Sequence, residues 1–171
     1  MEEQIDEIEQ MTNTALDQVR KIAVELRPSV LDDLGLIPAI RSYIQRYGQV
    51  YGIHVELKTD EKQRRYESNV ETVLYRVCQE ALTNIAKHSG TTHALVNIHH
   101  DKEYIIMSIE DYGKGFDSKQ YKPNGTNLGL FGMKERAHLV NGSVEVISSP
   151  GKGTTVQIII PYKEQNDAQS E

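Results

Sequence analysis

The sequence predicts an α+β fold, a two-layer α/β sandwich preceded by one long helix of the bundle or coiled-coil type. One observation behind this prediction is that short alternating apolar segments, typical of strands, come in adjacent pairs joined by polar turns. Another is that segments with a 3.6-residue apolar period separate these pairs. Strands paired as hairpins favour an antiparallel sheet with helices on one face, and they disfavour a parallel doubly wound sheet.

The long helix is predicted from Met1 to about Leu26, because one set of positions recurs at alternating spacings of three and four. These positions are Ile5, Ile8, Thr12, Ala15, Val19, Ile22 and Leu26. Such a seam requires partner helices, and the sequence contains no second heptad helix. We therefore expect the partners to come from another chain or from residues outside this one. A surface helix packed on its own domain is the alternative.

A boundary between two domains is predicted just after this helix. Arg27-Pro28 ends or kinks the helix, since the residue before proline disfavours the α region, and residues 32–35 are predicted to form a polar turn. Residues 1–34 then form the second helix of a bundle plus a linker, and residues 35–162 form the main domain. Residues 163–171 form a polar tail that we expect to be disordered.

Within the main domain, helices and strands are predicted in an alternating order. Helices are predicted over 35–52, 68–88 and 130–140, and strands over 53–57, 94–98, 104–110, 143–148 and 154–161. Residues 118–127 have the composition of a loop and the length of a lid.

Composition excludes several classes of protein. The net charge is −6 and no Lys/Arg-rich run occurs, which argues against direct binding of nucleic acid. The lone Cys78 cannot form an internal disulfide, and its helical position indicates packing. No stretch has the apolar length of a membrane span, and the acidic start is unlike a signal peptide. We expect a cytoplasmic location, with any membrane anchor of a longer parent outside this sequence.

The predicted helix over 68–88 carries a polar ridge. Glu80, Asn84 and His88 are spaced by four residues and share one side of a helix, with Lys87 beside them. An amide oxygen near a carboxylate suits a hard cation such as Mg²⁺. A solvated polar edge on an amphipathic helix is the alternative.

Three glycine-containing motifs follow. Asp111-x-Gly113-x-Gly115 comes directly after a strand, where a carboxylate can accept a hydrogen bond from an exocyclic amine and glycines admit a ligand close to the backbone. The motif over 129–133 opens a helix whose N–H groups can hold phosphate. The motif over 151–154 is weak alone. Each can also be an ordinary turn or helix entry. No Walker-type loop and no protein-kinase motif set occurs.

In order along the chain, these motifs form a conjunction that is more specific than its parts. Glu-x-x-x-Asn-x-x-Lys-His, Asp-x-Gly-x-Gly-Phe, Gly-Leu-x-Gly-Met and Gly-x-Gly-Thr resemble the ATP-binding (GHKL-type, Bergerat) domain of sensor histidine kinases of two-component systems. That fold is shared with type II topoisomerases, mismatch-repair proteins and a heat-shock chaperone. The Leu-Arg-Pro-x-x-Leu-x-x-Leu-Gly-Leu run over 26–36 and the Gln-Glu-Ala-x-x-Asn run over 79–84 resemble the subfamily that pairs with response regulators bearing helix-turn-helix outputs. The resemblance covers about residues 15–161.

The resemblance implies roles for individual residues. Asn84 binds Mg²⁺ with Glu80 near the metal, Lys87 and His88 face the phosphates, and Asp111 accepts the adenine amino proton. Gly113 and Gly115 admit the base, Thr154 supports Asp111, and the lid side of the nucleotide contacts Gly129, Leu130, Gly132 and Met133. Glu80, Asn84 and Lys87 form the implied catalytic set. Tyr112 and Asn127 depart from the family pattern, which puts lid mobility and rate in doubt more than binding.

The resemblance also implies a reaction that this chain cannot complete alone. The family's phospho-acceptor histidine lies on the first bundle helix, and no histidine precedes His54 here. We therefore expect the chain to bind ATP and Mg²⁺ and, in an intact homodimer with the missing bundle helix, to transfer the γ-phosphoryl to a histidine outside this chain. The phosphoryl then passes to a response regulator. The alternatives are a non-catalytic nucleotide sensor and an ATPase with Glu80 as base.

Overall fold

A computed structural model describes residue 12 and residues 29–60, 64–100, 103–117 and 128–162, with the side chain of Leu128 excepted. Within the predicted bundle helix, only Thr12 is described, and it is helical and exposed. The rest of that helix, the predicted lid over 118–127 and the predicted tail over 163–171 lie outside the described residues. These three predictions therefore stay predictions.

The described chain contains four α-helices and five strands. The helices are α1 (Ser29–Leu34), α2 (Leu36–Tyr51), α3 (Ser68–Asn84) and α4 (Leu128–His138). A π-helical turn over Ile85–Ser89 directly continues α3. The strands are β1 (His54–Thr59), β2 (His93–His100), β3 (Tyr104–Asp111), β4 (Ser143–Ser148) and β5 (Thr154–Pro161).

The strands form one mixed sheet in the order β1-β2-β3-β5-β4. The pairs β2–β3, β3–β5 and β4–β5 are antiparallel, as the hairpin pattern predicts. β1 instead pairs in parallel with β2, with α3 in the connection between them. The α+β prediction is confirmed, with one parallel pair added at the edge of the sheet.

One face of the sheet packs on the helices and forms the core. On this face, alternate strand residues are buried, including Val96, Ile98, Met107, Ile109, Ile158 and Ile160. The helices contribute Tyr43, Tyr47, Leu74, Leu82, Met133 and Ala137 to the same core. Cys78 is also buried there, which confirms the expectation that it packs, and burial raises the pKa of its thiol to about 12.

The predicted polar turn over 32–35 is wrong, because residues 29–34 form α1. Leu31 is buried in the core and so holds this short helix against the domain. Arg65 stabilises it further: Nη2 donates to the carbonyl of Asp32 at 3.2 Å, and Nε donates to Glu71 of α3 at 3.1 Å. Only Gly35, with φ of 86°, separates α1 from α2.

The predicted helix over 68–88 is α-helical only as far as Asn84. Its last turn is a π turn, which ends at Gly90 in the left-handed conformation with φ of 71°. The predicted end at Ser89-Gly90 is therefore correct, whereas the predicted uniform α-helical register is not. Across the part of the chain that the structure describes, no helix is long and apolar enough to cross a membrane.

Candidate nucleotide-binding site

A cavity of about 330 Å³ lies between the sheet, the C-terminal end of α3 and the start of α4. This volume lies within the range of pockets that hold small molecules. Its described lining comprises Ala81, Asn84, Ile85, His88, Ser89, Ile109, Asp111, Lys114, Gly115, Phe116, Gly129, Leu130, Val146, Thr154 and Val156. An apolar wall with a few polar groups suits a ligand that combines a flat apolar ring with polar edges.

Asp111, the last residue of β3, lies at the base of this cavity with only 5% of its surface exposed. The backbone N–H of Gly113 donates to Asp111 Oδ1 at 2.8 Å, and Thr154 stands opposite Asp111 on β5. Burial raises the pKa of the Asp111 carboxyl, while hydrogen bonds from Gly113 and Thr154 partly oppose that rise. The result is an oriented, poorly solvated acceptor that lines the cavity.

Ser148 braces this base from the neighbouring strand. It is the last residue of β4, and its hydroxyl donates to the carbonyl of Gly153 at 2.9 Å. The same oxygen accepts the backbone N–H of Phe116 at 2.9 Å and lies 3.0 Å from Thr154 Oγ1. Ser148 is not predicted from the sequence, because strand pairing, rather than any local motif, brings it to the site.

Two glycines are required where the loops at the base cross. Gly115 has φ of 58° and Gly153 has φ of 74°, both in the region that L side chains avoid. A Cβ on Gly115 would overlap the carbonyl oxygen of Ser149, and a Cβ on Gly153 would overlap that of Asp111. These glycines therefore serve close packing of backbone on backbone beneath the ligand site.

The loop after Asp111 is tied on both sides. The N–H of Lys114 donates to the carbonyl of Ser89 in the π turn at 2.9 Å, and the carbonyl of Lys114 accepts the N–H of Gly151 at 2.7 Å. Gly113 packs so closely on Ser89 that a Cβ would overlap its carbonyl. The π turn, the Asp111 loop and the β4–β5 loop are thus connected through backbone groups.

The helix end of the cavity carries the predicted polar ridge. Asn84 is half-buried and lines the cavity, and His88 is exposed and also lines it. Lys87 is exposed but lies off the cavity wall. Glu80 lies off the wall as well, and its Oε1 packs against Gly129 so closely that a Cβ there would overlap it.

The start of α4 closes the opposite side. Gly129 and Leu130 line the cavity, whereas Met133 is fully buried in the core. Gly132 also lies off the wall, and a Cβ there would come within 3.1 Å of the Arg136 guanidinium. The structure thus brings together Asn84, His88, Asp111, Gly115, Gly129, Leu130 and Thr154 on one cavity wall, with Glu80, Lys87, Gly113, Gly132 and Met133 outside it.

The missed lining residues are of two kinds. Ile109, Val146 and Val156 point inward from strands, and their alternating pattern predicts burial but not contact with a ligand. Lys114 and Phe116 lie inside the Asp-x-Gly-x-Gly-Phe motif. Their position close to Asp111 in the sequence could have predicted that they line the cavity.

The chain is similar in sequence to known proteins. Residues 69–164 match the family model described as "Histidine kinase-, DNA gyrase B-, and HSP90-like ATPase". The chain is 45% identical over 154 residues to the "Oxygen sensor histidine kinase NreB" of Staphylococcus carnosus (strain TM300). That alignment covers 90% of this chain and 44% of the relative, so the chain spans less than half the length of that protein.

Two solved structures of histidine kinases have the same fold. The histidine kinase domain of the Erythrobacter litoralis EL346 blue-light activated histidine kinase matches with a TM-score of 0.58 at 21% identity, over 72% of this chain and 59% of that one. The mycobacterial sensor histidine kinase MprB matches with a TM-score of 0.58 at 21% identity, over 72% of this chain and 92% of that one. At these identities the likeness concerns the fold.

Proposed function

The chain belongs to the histidine kinase-, DNA gyrase B- and HSP90-like ATPase family, as an ATP-binding domain of the sensor histidine kinase type, and from that premise we propose how it acts. It binds ATP in the cavity described above and directs the γ-phosphoryl towards a histidine that lies outside this chain. The observation that carries this proposal is the buried, hydrogen-bonded carboxylate of Asp111 at the base of an apolar cavity.

Asp111 selects the base of the nucleotide. A carboxylate accepts hydrogen bonds and donates none, so it pairs with the exocyclic amine of adenine and rejects a carbonyl at the same position. Ile109 and Val156 supply apolar contacts on the cavity wall. The hydrogen bonds from Gly113 and Thr154 keep the carboxylate in place, so that little reorganisation accompanies binding.

The polar ridge and its neighbours face the phosphates in this proposal. Asn84 offers an amide oxygen at the rim of the cavity, and Glu80 lies one helical turn before it. Lys87 and His88 supply positive charge or hydrogen bonds to phosphate oxygens, while Gly129 and Leu130 bring the start of α4 alongside. The N–H groups of a helix start favour anions, which supports phosphate binding at this side.

Mg²⁺ fits this donor set. Among the residues that the structure describes, no three His, Cys, Asp or Glu side chains are grouped as a metal site. Mg²⁺ bound with ATP takes most of its ligands from phosphate oxygens and water, so one amide and one nearby carboxylate suffice for the protein's share. Asn84, with Glu80 nearby, would hold the ion, which would supply charge neutralisation on the phosphates, while Lys87 holds them in line for transfer.

The proposed partners follow from the kinase type. A histidine kinase passes its phosphoryl group to a response regulator, and the motif runs over 26–36 and 79–84 favour one with a helix-turn-helix output. The seam over residues 5–26 supports dimerisation of the intact protein through its bundle. ATP is supplied in the cytoplasm, so we propose that this domain works there.

Phosphoryl transfer to a separately supplied helix tests the proposal. A peptide spanning the parent's phospho-acceptor helix is mixed with this chain and with ATP labelled at the γ-phosphorus. We expect acid-labile label on the peptide histidine, and none when Asp111→Asn replaces the wild type. Firm ATP binding without any labelled histidine would instead identify a non-catalytic nucleotide sensor.

Hydrolysis separates the kinase from an ATPase. A base that activates water must hold that water in line with the γ-phosphorus, whereas the Glu80 carboxylate packs against Gly129 and is not itself a lining group of the cavity. We therefore expect only slow hydrolysis by this chain alone, with little change in Glu80→Gln. Rapid ATP hydrolysis that Glu80→Gln abolishes would replace the kinase proposal with an ATPase.

A further inference from the structure

The helix that carries Asn84 changes its hydrogen-bonding register immediately after that residue. It is α-helical through Asn84 and π-helical over Ile85–Ser89. An α-helical N–H bonds the carbonyl four residues earlier, whereas a π-helical N–H bonds the one five residues earlier. Such a change within a helix needs a local cause, for example a side chain inserted into the backbone ladder.

Tyr47 of α2 supplies a group at the position where the register changes. Its side chain is fully buried, and its hydroxyl donates to the carbonyl oxygen of Leu82 at 2.8 Å. In a regular α-helix that carbonyl is the acceptor for the N–H of Ala86. Tyr47 therefore contacts a backbone acceptor that the α-helical register requires.

The backbone of Ala86 lies beside the same hydroxyl. Burial raises the pKa of Tyr47, and a hydrogen bond from the backbone of Ala86 is among the smaller contributions that lower it. The hydroxyl thus stands between Leu82 and Ala86, the two residues that one α-helical hydrogen bond joins. A hydroxyl that donates to the carbonyl and accepts from the N–H can substitute for that bond.

The far end of the turn shows a matching arrangement. The hydroxyl of Ser89 donates to the carbonyl oxygen of Ile85 at 2.8 Å. In an α-helix that carbonyl would accept the backbone N–H of Ser89 itself. Two α-helical acceptors are therefore bonded by hydroxyl groups, one from a distant helix and one from the turn.

The π turn matters because of what it carries. His88 and Ser89 line the cavity, and the carbonyl of Ser89 accepts the N–H of Lys114 in the loop that follows Asp111. An extra residue in the turn changes the direction in which each later side chain points. The register of this turn consequently affects both the helix end of the cavity and the support of its base.

We propose that Tyr47 is a positioning residue for the nucleotide site: its hydroxyl, inserted between Leu82 and Ala86, sets the π turn that places His88 and Ser89 at the cavity. This inference rests on the proposed ATP site for its functional consequence. The structural part, that the hydroxyl sets the register of the turn, is independent of any nucleotide.

The test compares Tyr47→Phe with Tyr43→Phe. Tyr43 lies one turn earlier on α2, is 1% exposed, and hydrogen-bonds the side chain of Thr83 rather than a backbone ladder. Both variants lose one buried hydroxyl and keep the ring, so we expect both to lose stability to a similar extent. NMR scalar couplings across hydrogen bonds then identify the acceptor of the Ser89 N–H, which is Asn84 in a π turn and Ile85 in an α turn.

We expect Tyr47→Phe to move this acceptor from Asn84 to Ile85 and to weaken binding of Mg²⁺ with a non-hydrolysable ATP analogue roughly tenfold. Tyr43→Phe should retain the wild-type acceptor and bind within about twofold of the wild type. A retained π register in Tyr47→Phe, or a shifted register with unchanged affinity, overturns the inference.

Two further outcomes distinguish failure of the inference about Tyr47 from failure of the proposed ATP site. If the wild type binds no nucleotide, the proposed function fails, and the couplings of Ser89 still decide whether Tyr47 sets the register. If Tyr47→Phe does not fold, the wild-type spectrum decides: a Tyr47 hydroxyl proton coupled to the Leu82 carbonyl supports the insertion, and an Ala86 N–H coupled fully to Leu82 overturns it.

Discussion

The two ends of the cavity are built from different kinds of structure. The base end consists of Asp111, Ser148, Gly153 and Thr154, where strands β3, β4 and β5 begin or end, and its Asp111 and Ser148 are 5% and 6% exposed. The helix end consists of the half-buried Asn84 and the exposed His88, with the exposed Lys87 beside them off the cavity wall. Backbone hydrogen bonds between strands hold the residues of the base end in place. The helix end is instead formed by side chains from the last turns of one helix.

This difference in burial implies that the two ends contribute differently to ligand recognition. A buried acceptor in a low-dielectric site discriminates strongly between ligands, because a mismatched polar group stays unpaired. Exposed charged side chains act through charge, which water screens, and tolerate variation in geometry. We therefore expect substitutions at the base end to weaken binding by larger factors than those at the helix end.

Substitution of Gly153 should break the base end most severely. In Gly153→Ala the Cβ would overlap the backbone carbonyl of Asp111, so the strand end must move. We expect a loss of about 3 kcal/mol in the free energy of unfolding and no measurable binding of an ATP analogue. Urea denaturation and calorimetric titration measure the two effects.

Gly151→Ala is the matched control on the same loop. Gly151 also has a positive φ, of 76°, but a Cβ there would meet nothing within 4 Å. Gly151→Ala therefore measures only the cost of placing alanine in the left-handed conformation, about 1 kcal/mol. The additional loss in Gly153→Ala then measures the steric overlap with Asp111. Equal destabilisation by the two substitutions would show that close packing on Asp111 is unimportant.

Asp111→Asn should weaken ATP binding about 100-fold, since it removes the charge from the acceptor and turns one oxygen into a donor. Calorimetric titration with a non-hydrolysable ATP analogue provides the measurement. Glu110→Gln is the control, because Glu110 is the preceding residue of β3 and accepts from the Ser108 hydroxyl away from the cavity lining. Comparable losses in both variants would remove Asp111 from its proposed role.

Asn84→Ala should weaken binding about tenfold and abolish its dependence on Mg²⁺, because the amide oxygen is a proposed ligand of the cation. Titrations with and without Mg²⁺ separate the two effects. Asn69→Ala controls for loss of an amide on the same helix, since Asn69 is exposed at the far end of α3. Undiminished Mg²⁺ dependence in Asn84→Ala would exclude it as a ligand.

The smallest expected effect concerns pH. Burial raises the pKa of Asp111 above its ordinary value of 3.8, so the folded state binds this proton more tightly than the unfolded chain. Its stabilising contribution is fully present below the unfolded pKa and is lost as pH rises through the folded pKa. The stability of the wild type relative to Asp111→Asn should therefore fall over that window.

Urea denaturation of both proteins from about pH 3 to about pH 7 checks this difference. The amide of the variant does not titrate, so the other ionisable groups largely cancel in the comparison. A pH-independent difference, or one that grows with pH, would contradict a raised pKa at Asp111.

Much of the fold followed from local patterns. The alternation of apolar residues located all five strands to within a few residues, and the 3.6-residue period located α2, α3 and α4. These patterns are local because burial on one face imposes a fixed period on the chain. Motifs such as Asp111-x-Gly113-x-Gly115 were visible for the same reason, since a turn requires glycine at defined positions.

Other features came from contacts between distant residues. Leu31 and Arg65 hold residues 29–34 as a helix, although the local sequence resembles a turn. The parallel pairing of β1 with β2 depends on the crossover through α3, and no hairpin signal encodes it.

The sequence by itself determined the class of fold, the order of the five strands and of α2, α3 and α4, and the motifs that indicate an ATP site, because each depends on residues a few positions apart. Only the tertiary structure decided that the Ser148 hydroxyl contacts Gly153 and Thr154, that Glu80 packs on Gly129, and that α3 continues into a π turn. Each of these arrangements joins groups from separate elements, and their geometry is settled by how the sheet and helices pack.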